Sequence, residues 1–200
     1  MTVLLDILKA GGVALVETDT VYGLAALPGS AGYQEIFKIK QRDISQVLPW
    51  LIGNQGALDR LGDDVPAYAY SLANMFWPGA LTLVVKASKI ALSFGPVAND
   101  GTVALRMPDN KRCLELLGSL DSPLACTSAN RHGYPAPSRL QDIDPVIFAL
   151  PHDPYIASEC PGKSSSTIVD CTGPMPKILR NGDIDQHVIN TVAFLDATLS

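Results

Sequence analysis

Gly11-Gly12-Val13-Ala14-Leu15-Val16-Glu17-Thr18-Asp19-Thr20 is the stretch whose reading decides the fold. Two glycines end a helical pattern, a run of four apolar residues follows, and the chain then turns polar at once. A short apolar run with such boundaries reads as a buried strand. Upstream, Val3, Leu4, Ile7 and Leu8 recur at helical spacing, and Gly11-Gly12 is the stop expected at a helix C-terminus. Helix, glycine stop and buried strand leading into a polar loop form the repeating unit of an α/β protein.

Working outward, the same alternation continues. A helix is expected over Tyr33 to Ile39 with Ile36 and Phe37 inward, then a strand over Leu48 to Ile52 turned by Asn54-Gln55-Gly56. A helical region spans Val65 to Met75 and breaks at Pro78-Gly79. Ala80 to Val85 (ALTLVV) and Thr102 to Met107 are β-rich, Lys111 to Leu117 is helical, and Pro123 to Thr127 returns to a strand. Ser138 reads as the cap of a short helix that includes Leu140 and Ile143. Thr167 to Asp170 and Lys177 to Leu179 are the last strands. No linker, repeat or low-complexity tract interrupts the series, so one α/β domain is expected over residues 1–200. Several strands follow one another directly, which predicts a mixed sheet.

Two hundred residues suffice for a sizeable core without disulfides or a structural metal. With 47% hydrophobic and 18% charged residues, the composition excludes a disordered chain. Fifteen Lys plus Arg against twenty Asp plus Glu, a net charge of −5, argue against a globally basic nucleic-acid binder and leave room only for a local basic groove. Cys113, Cys126, Cys160 and Cys171 show no CxxC spacing, and three histidines accompany them. They read as reduced, mostly buried thiols rather than a zinc site or a disulfide framework. The N-terminus lacks the pattern of a signal peptide, and no apolar run approaches ~20 residues. A soluble, cytoplasmic protein without a membrane segment is expected.

Three polar pairs at i, i+2 stand out: Thr18 with Thr20, Lys40 with Arg42, and Ser128 with Asn130. In extended backbone each pair would face one side and converge on one ligand. Each lies near the end of an expected strand or helix, where α/β proteins place their sites. Taken alone, Lys40 and Arg42 read as a solvated surface. Gly162-Lys163-Ser164 imitates the end of a P-loop, but the glycine required five residues earlier is Ala157, and a strand-like segment follows instead of a helix. The P-loop is rejected, while a serine-rich turn that touches a ligand through Ser166 stays open. His132 reads as an exposed loop histidine, and no nucleophile elbow or activated cysteine is present. Asp19 and Asp170 are candidate magnesium ligands, with capping or turn roles as the more ordinary reading.

Taken in order, the motifs resemble those of the YrdC/YciO family. Gly11 to Ala14 and Thr18-Asp19-Thr20-Val21-Tyr22-Gly23-Leu24 resemble its opening signature, and Lys40-Gln41-Arg42 its Lys-x-Arg motif. Phe76-Trp77-Pro78-Gly79 with Leu81-Thr82, Thr102 to Pro108, Thr127-Ser128-Ala129-Asn130, Ser166 to Asp170 and Leu179-Arg180-Asn181-Gly182 follow in register, from residue 11 to about residue 182. The resemblance implies a twisted mixed sheet flanked by helices, with a deep cationic cavity. Longer family members carry an extra C-terminal domain, which is not expected within these 200 residues.

The resemblance also implies an activity. Bicarbonate carbamoylates the amine of L-threonine, and the carbamate attacks the α-phosphorus of ATP. Pyrophosphate leaves, and partner enzymes pass the threonylcarbamoyl group to the tRNA adenosine beside the anticodon. Magnesium is expected with ATP. The family pattern assigns Lys40 and Arg42 as catalytic cations. It places Arg42, Gln46, Thr102, Ser128, Asn130 and Arg180 at ATP, and Thr20, Arg106, Cys126 and Ser166 at threonine. Departures are Glu17 where the family has proline, Gln46-Val47 in place of Lys-Pro or Asn-Pro, and Arg131-His132-Gly133 after Asn130. Gln46 would remove a cation from the phosphates and Glu17 would add an anion near the cavity. Two further readings are a YciO-like paralogue without the synthase reaction and a double-stranded RNA-binding module, for which the few cations predict weak binding.

Overall fold

In the computed structural model, which describes residues 2–162 and 165–197 with side chains through residue 194, the strands join into one mixed sheet. Helix α1 (Thr2–Lys9) buries Leu4 and Leu8 and leaves Val3 in solvent. Gly11 takes a φ of 82°, and the N–H groups of Gly11 and Gly12 bond to the Leu8 and Ile7 carbonyls at 2.9 Å, which closes the helix. β1 (Ala14–Val16) follows, then β2 (Gly23–Ala26). α2 (Ala31–Lys40) is capped by Ser30, whose Oγ accepts from the Tyr33 N–H, and it buries Tyr33, Ile36, Phe37 and Lys40.

β3 (Trp50–Leu51), α3 (Ala57–Leu61), β4 (Gly62–Asp63), α4 (Ala67–Phe76) and β5 (Leu81–Ala87) come next. They lead to α5 (Lys89–Phe94), β6 (Thr102–Arg106), α6 (Lys111–Gly118) and β7 (Leu124–Ser128). A 3-10 turn (Leu140–Asp142), α7 (Pro145–Phe148), β8 (Thr167–Asp170), β9 (Lys177–Arg180) and α8 (Gln186–Ala197) complete the chain.

The sheet order is β1-β2-β7-β3-β6-β5-β8-β9, with β4 attached to β5. The β3/β6 and β5/β8 pairs are parallel and the others antiparallel. The mixed sheet expected from directly successive strands is what forms.

The ALTLVV segment explains how the sheet makes both a core and a site. Side chains alternate across a strand. Leu81, Leu83 and Val85 enter the main core with Val103, Leu105 and Val169, packed against Leu72 of α4 and Ile189 of α8. Thr82 and Val84 face the other way. Cross-strand register sets Leu51 beside Arg106, Val84 beside Ala104, Thr82 beside Ile168, and Ile168 beside Arg180. That row therefore shares one face. α1 and α6 cover part of the same side through a second cluster built on Leu8, Val16, Leu51, Leu116 and Leu124. The remainder of the face is the floor of a cavity.

Several elements differ from the sequence expectation. β2 carries Gly-Leu-Ala-Ala, a poor strand former, and is held because it is paired on both sides, by β1 and β7. Its glycine permits close packing: a Cβ at Gly23 would sit 2.5 Å from Cys126 Sγ. α3, β4, α5 and α8 were not anticipated either. Ser138 does not cap a helix; its carbonyl accepts from the Cys160 N–H at 2.7 Å, and the turn that follows has no side-chain cap. Asp144 is the capping residue in this region, accepting from Val146 N–H at 2.9 Å with Pro145 in the first turn of α7. No described helix is long and apolar enough to cross a membrane.

Candidate active site

The bend between β1 and β2 forms one wall. Thr18 Oγ1 accepts from the N–H groups of Thr20 and Val21 at 3.2 Å and donates to the Val21 carbonyl at 2.7 Å. This local turn, rather than extended backbone, brings the Thr18 and Thr20 hydroxyls to 3.1 Å. Both threonines are buried. Gly162 presses on the same bend, where a Cβ would lie 2.6 Å from the Asp19 carbonyl oxygen.

Arg106, at the end of β6, docks onto this bend. Its Nη2 donates to Asp19 Oδ1 at 2.6 Å, its Nη1 to Thr20 Oγ1 at 2.9 Å, and its Nε to the Gly79 carbonyl at 3.1 Å. The Arg106 and Asp19 side chains are 9% and 11% exposed, so this ion pair is close to dry and its geometry is well held. Three of the five guanidinium hydrogens are committed, and two remain for a ligand.

The second wall comes from the end of α2. Gln41 takes a left-handed conformation (φ 53°) as the C-cap, with its N–H on the Lys38 and Phe37 carbonyls. This turn folds Arg42 back beside Lys40, so the pair converges through a helix cap and not through extended backbone. Lys40 is 3% exposed, which overturns its reading as a solvated residue. Its Nζ donates to Ser128 O at 2.6 Å, Asn130 O at 2.7 Å and Asn130 Oδ1 at 3.0 Å. Burial, with the Arg42 charge adding to it, pulls the Lys40 pKa down to about 8. Burial also lowers Arg42.

The third wall is the start of β8 with the end of β9. Ser166 Oγ and Thr82 Oγ1 lie 2.8 Å apart, and Arg180 Nη2 reaches the Ser166 carbonyl at 2.8 Å and its Oγ at 3.1 Å. Arg180 is lowered by burial and by the like charge of Arg106. Gly182 belongs to this wall for steric reasons, because any Cβ there would collide with the backbone of Ser165, Ser166 and Thr167.

These walls enclose a cavity of about 420 Å³. Of the residues expected from the sequence, Thr20, Lys40, Arg42, Arg106, Cys126, Ser128, Asn130, Ser166 and Arg180 line it. Gln46 and Thr102 do not. Gln46 is exposed, and its neighbour Val47 lines the cavity instead. Thr102 stands at the far end of β6, where its hydroxyl bonds to Asp100 Oδ1 at 2.7 Å. Glu17 is also away from the cavity, accepting from Asn110 Nδ2 at 3.1 Å and Ala157 N–H at 2.6 Å, so its charge ties three loops together.

Sequence reasoning gave no role to Thr82, Val84, Ala104 and Ile168, all in the lining. The alternation in ALTLVV was the signal that could have found Thr82, a lone hydroxyl on the face opposite three core residues. His132 is exposed at the cavity rim, as read. The Ser166 turn lies in the lining, while Lys163 and Ser164 of the rejected P-loop lie outside the described residues.

The donor set does not fit a protein-held magnesium ion. The Asp19 carboxylate is taken by Arg106, and Asp170 Oδ1 accepts from Thr172 N–H and Oγ1 at 2.9 and 2.7 Å. Among the described residues no three His, Cys, Asp or Glu side chains converge as a metal site. Nor is there an activated thiol. All four cysteines are free and buried, and burial pushes Cys126 up to about 12 and Cys160 to about 11. Among the described residues the cavity therefore offers cations, hydroxyls and amides, and no activated thiol.

Comparison with known proteins gives this arrangement a family. The Sua5/YciO/YrdC model, described by the phrase "Telomere recombination", matches residues 6–182. A Mycobacterium tuberculosis (strain H37Rv) protein named "Putative threonylcarbamoyl-AMP synthase" is 36% identical over 95% of this chain and 87% of its own length. The threonylcarbamoyl-AMP synthase of Bacillus subtilis is 33% identical over 93% of this chain, which spans only 54% of that protein. Among solved structures, Pyrococcus abyssi Sua5 complexed with L-threonine superposes with a TM-score of 0.82 at 29% identity, covering 95% of this chain and 56% of that one. The chain thus spans about half the length of two of these three relatives. Matched from α1 to the loop behind β9, the chain belongs to the Sua5/YciO/YrdC family.

Proposed function

We propose that this chain is an L-threonylcarbamoyl-AMP synthase. The observation that carries the reading is one cavity lined by Lys40, Arg42, Arg106 and Arg180 together with the hydroxyls of Thr18, Thr20, Thr82, Ser128 and Ser166, with no activated thiol among the described lining residues. Such a site suits a reaction whose reactants are all anions and whose covalent chemistry lies within the substrates. The amine of L-threonine adds to the carbon of bicarbonate and water leaves, giving a carbamate. A carbamate oxygen then bonds to the α-phosphorus of ATP as the α–β phosphoanhydride bond breaks, and pyrophosphate carries away the negative charge. Transfers of this kind depend on positioning and on cations placed where charge develops.

In this reading the threonine carboxylate meets the two free N–H groups of Arg106, with Thr20, Ser166 and the Cys126 backbone around the amino acid. Arg42 and Arg180 grip phosphate oxygens, since a guanidinium can hold two at once. Ser128 and Asn130 contact the nucleotide, in a loop whose position Lys40 fixes. All three Lys40 hydrogens are engaged by Ser128 and Asn130, so Lys40 supplies potential and order without itself donating to phosphate. Gln46 and Thr102 have no part in it. Magnesium enters on the phosphates of ATP and not through protein carboxylates. The product passes to partner enzymes that modify tRNA.

The test is pyrophosphate release from ATP with threonine and bicarbonate supplied together and singly. Release that requires both supports the synthase; ATP binding without any threonine-dependent release rejects it.

A further inference from the structure

Val84, Ala104 and Ile168 give the cavity floor an apolar surface beside Thr82 of β5. Thr82 is 1% exposed, and a hydroxyl buried in such surroundings costs free energy unless it is bonded. Its bond runs to Ser166 Oγ at 2.8 Å, from β5 across to the approach to β8. Ser166 Oγ also accepts from Arg180 Nη2 at 3.1 Å. Arg180 is itself held on the Ser166 carbonyl, at 2.8 Å through Nη2 and 3.1 Å through Nε. All three side chains line the cavity.

Two hydroxyls carry two hydrogens. One lies between Thr82 Oγ1 and Ser166 Oγ, and among the described residues no other acceptor takes the second. The Arg180 cation donates into Ser166 Oγ, which polarises that hydroxyl and strengthens it as a donor. With an anion in the cavity the favoured order is therefore Thr82 O–H to Ser166 Oγ, and Ser166 O–H to the anion.

We propose that Thr82 is a positioning residue acting through Ser166. By donating to Ser166 Oγ it turns the Ser166 hydrogen onto an anionic oxygen of the bound amino acid. This inference rests on the reading of the Ser166 wall as the threonine end of the cavity.

The variant Thr82→Val keeps the branched shape and the strand preference and removes the hydroxyl. Calorimetric titration with L-threonine should give a dissociation constant raised roughly three- to tenfold, with the ATP constant within about twofold. Ser166 Oγ keeps its bond from Arg180 in this variant, so the thermal midpoint should be unchanged or higher. Thr82→Ser restores the hydroxyl and should return the threonine constant to within about twofold of wild type. In a Ser166→Ala background, adding Thr82→Val should bring no further loss. An unchanged threonine constant in Thr82→Val overturns the inference, and so does a Thr82→Ser variant as weak as Thr82→Val. A lower midpoint with parallel losses for both substrates also overturns it, since that would mark a structural role. The expected pattern in protein that releases no pyrophosphate would support the inference and reject the synthase, whereas wild-type protein that binds no threonine would overturn both.

Discussion

At Lys40, three ammonium hydrogens meet three oxygens, all from Ser128 and Asn130. Burial and Arg42 meanwhile pull its pKa down to about 8. The cation is therefore held by geometry and strained by its surroundings. Arriving phosphates favour the charged form, so ATP binding at pH 8.5 should take up protons. Calorimetry in two buffers of different ionisation enthalpy measures this uptake. Lys40→Met should abolish it, and equal heats in both buffers for the wild type would contradict the account. At Arg42 the relevant property is the planar fork. Arg42→Lys should clearly weaken ATP-dependent turnover, and Arg42→Ala should lower kcat/KM for ATP roughly 10- to 100-fold, as expected for loss of a charge-assisted bond of ~1.5–3 kcal/mol. Four positions beyond Arg42 the expectation reverses: Gln46 is exposed and off the cavity, so Gln46→Lys should leave both substrate constants within about twofold.

At the scale of elements, β8 and β9 meet over Gly182, whose α-carbon lies so close to the Ser165–Thr167 backbone that no side chain fits. Thr167 Oγ1 accepts from the N–H groups of Gly182 and Ile184 at 3.1 and 3.0 Å and holds this crossing in place. Gly182→Ala forces the strands apart, at a cost of about 1–3 kcal/mol. Its thermal midpoint should fall by roughly 2–12 °C, at the 2–4 °C per kcal/mol expected for a chain of this size. The threonine constant should rise because Ser166 moves with the strand, and an unchanged midpoint would refute the crowding argument. β5 was readable in the sequence since ALTLVV alternates and begins cleanly after Pro78-Gly79. β2 was not, because Gly-Leu-Ala-Ala owes its extended form to neighbours on both sides, which a local pattern does not display. α8 escaped because its buried Ile189 and Ala193 are interleaved with exposed Val188 and Phe194, which blurs the apolar stripe.

For the whole molecule, the sheet gathers at one cavity groups that are far apart in sequence: Thr20 between β1 and β2, Lys40 at the end of α2, Arg106 on β6, Ser128 on β7 and Arg180 on β9. Their motifs were legible one by one, and their convergence followed only from the resemblance. What no motif revealed was which atoms are already engaged, such as Arg106 by Asp19 or Lys40 by Asn130. With a net charge of −5 and four of the cations lining the cavity, weak, salt-sensitive binding of double-stranded RNA is the expected outcome of a mobility-shift titration. The central claim is that threonine, bicarbonate and ATP are joined in that one cavity. The most direct measurement is the mass of the adenylate formed with 13C-bicarbonate, L-threonine, ATP and magnesium. The account predicts a threonylcarbamoyl-AMP that carries one heavy carbon and forms in step with pyrophosphate. An adenylate of threonine alone, without the labelled carbon, or no adenylate at all from protein that binds ATP, would contradict it.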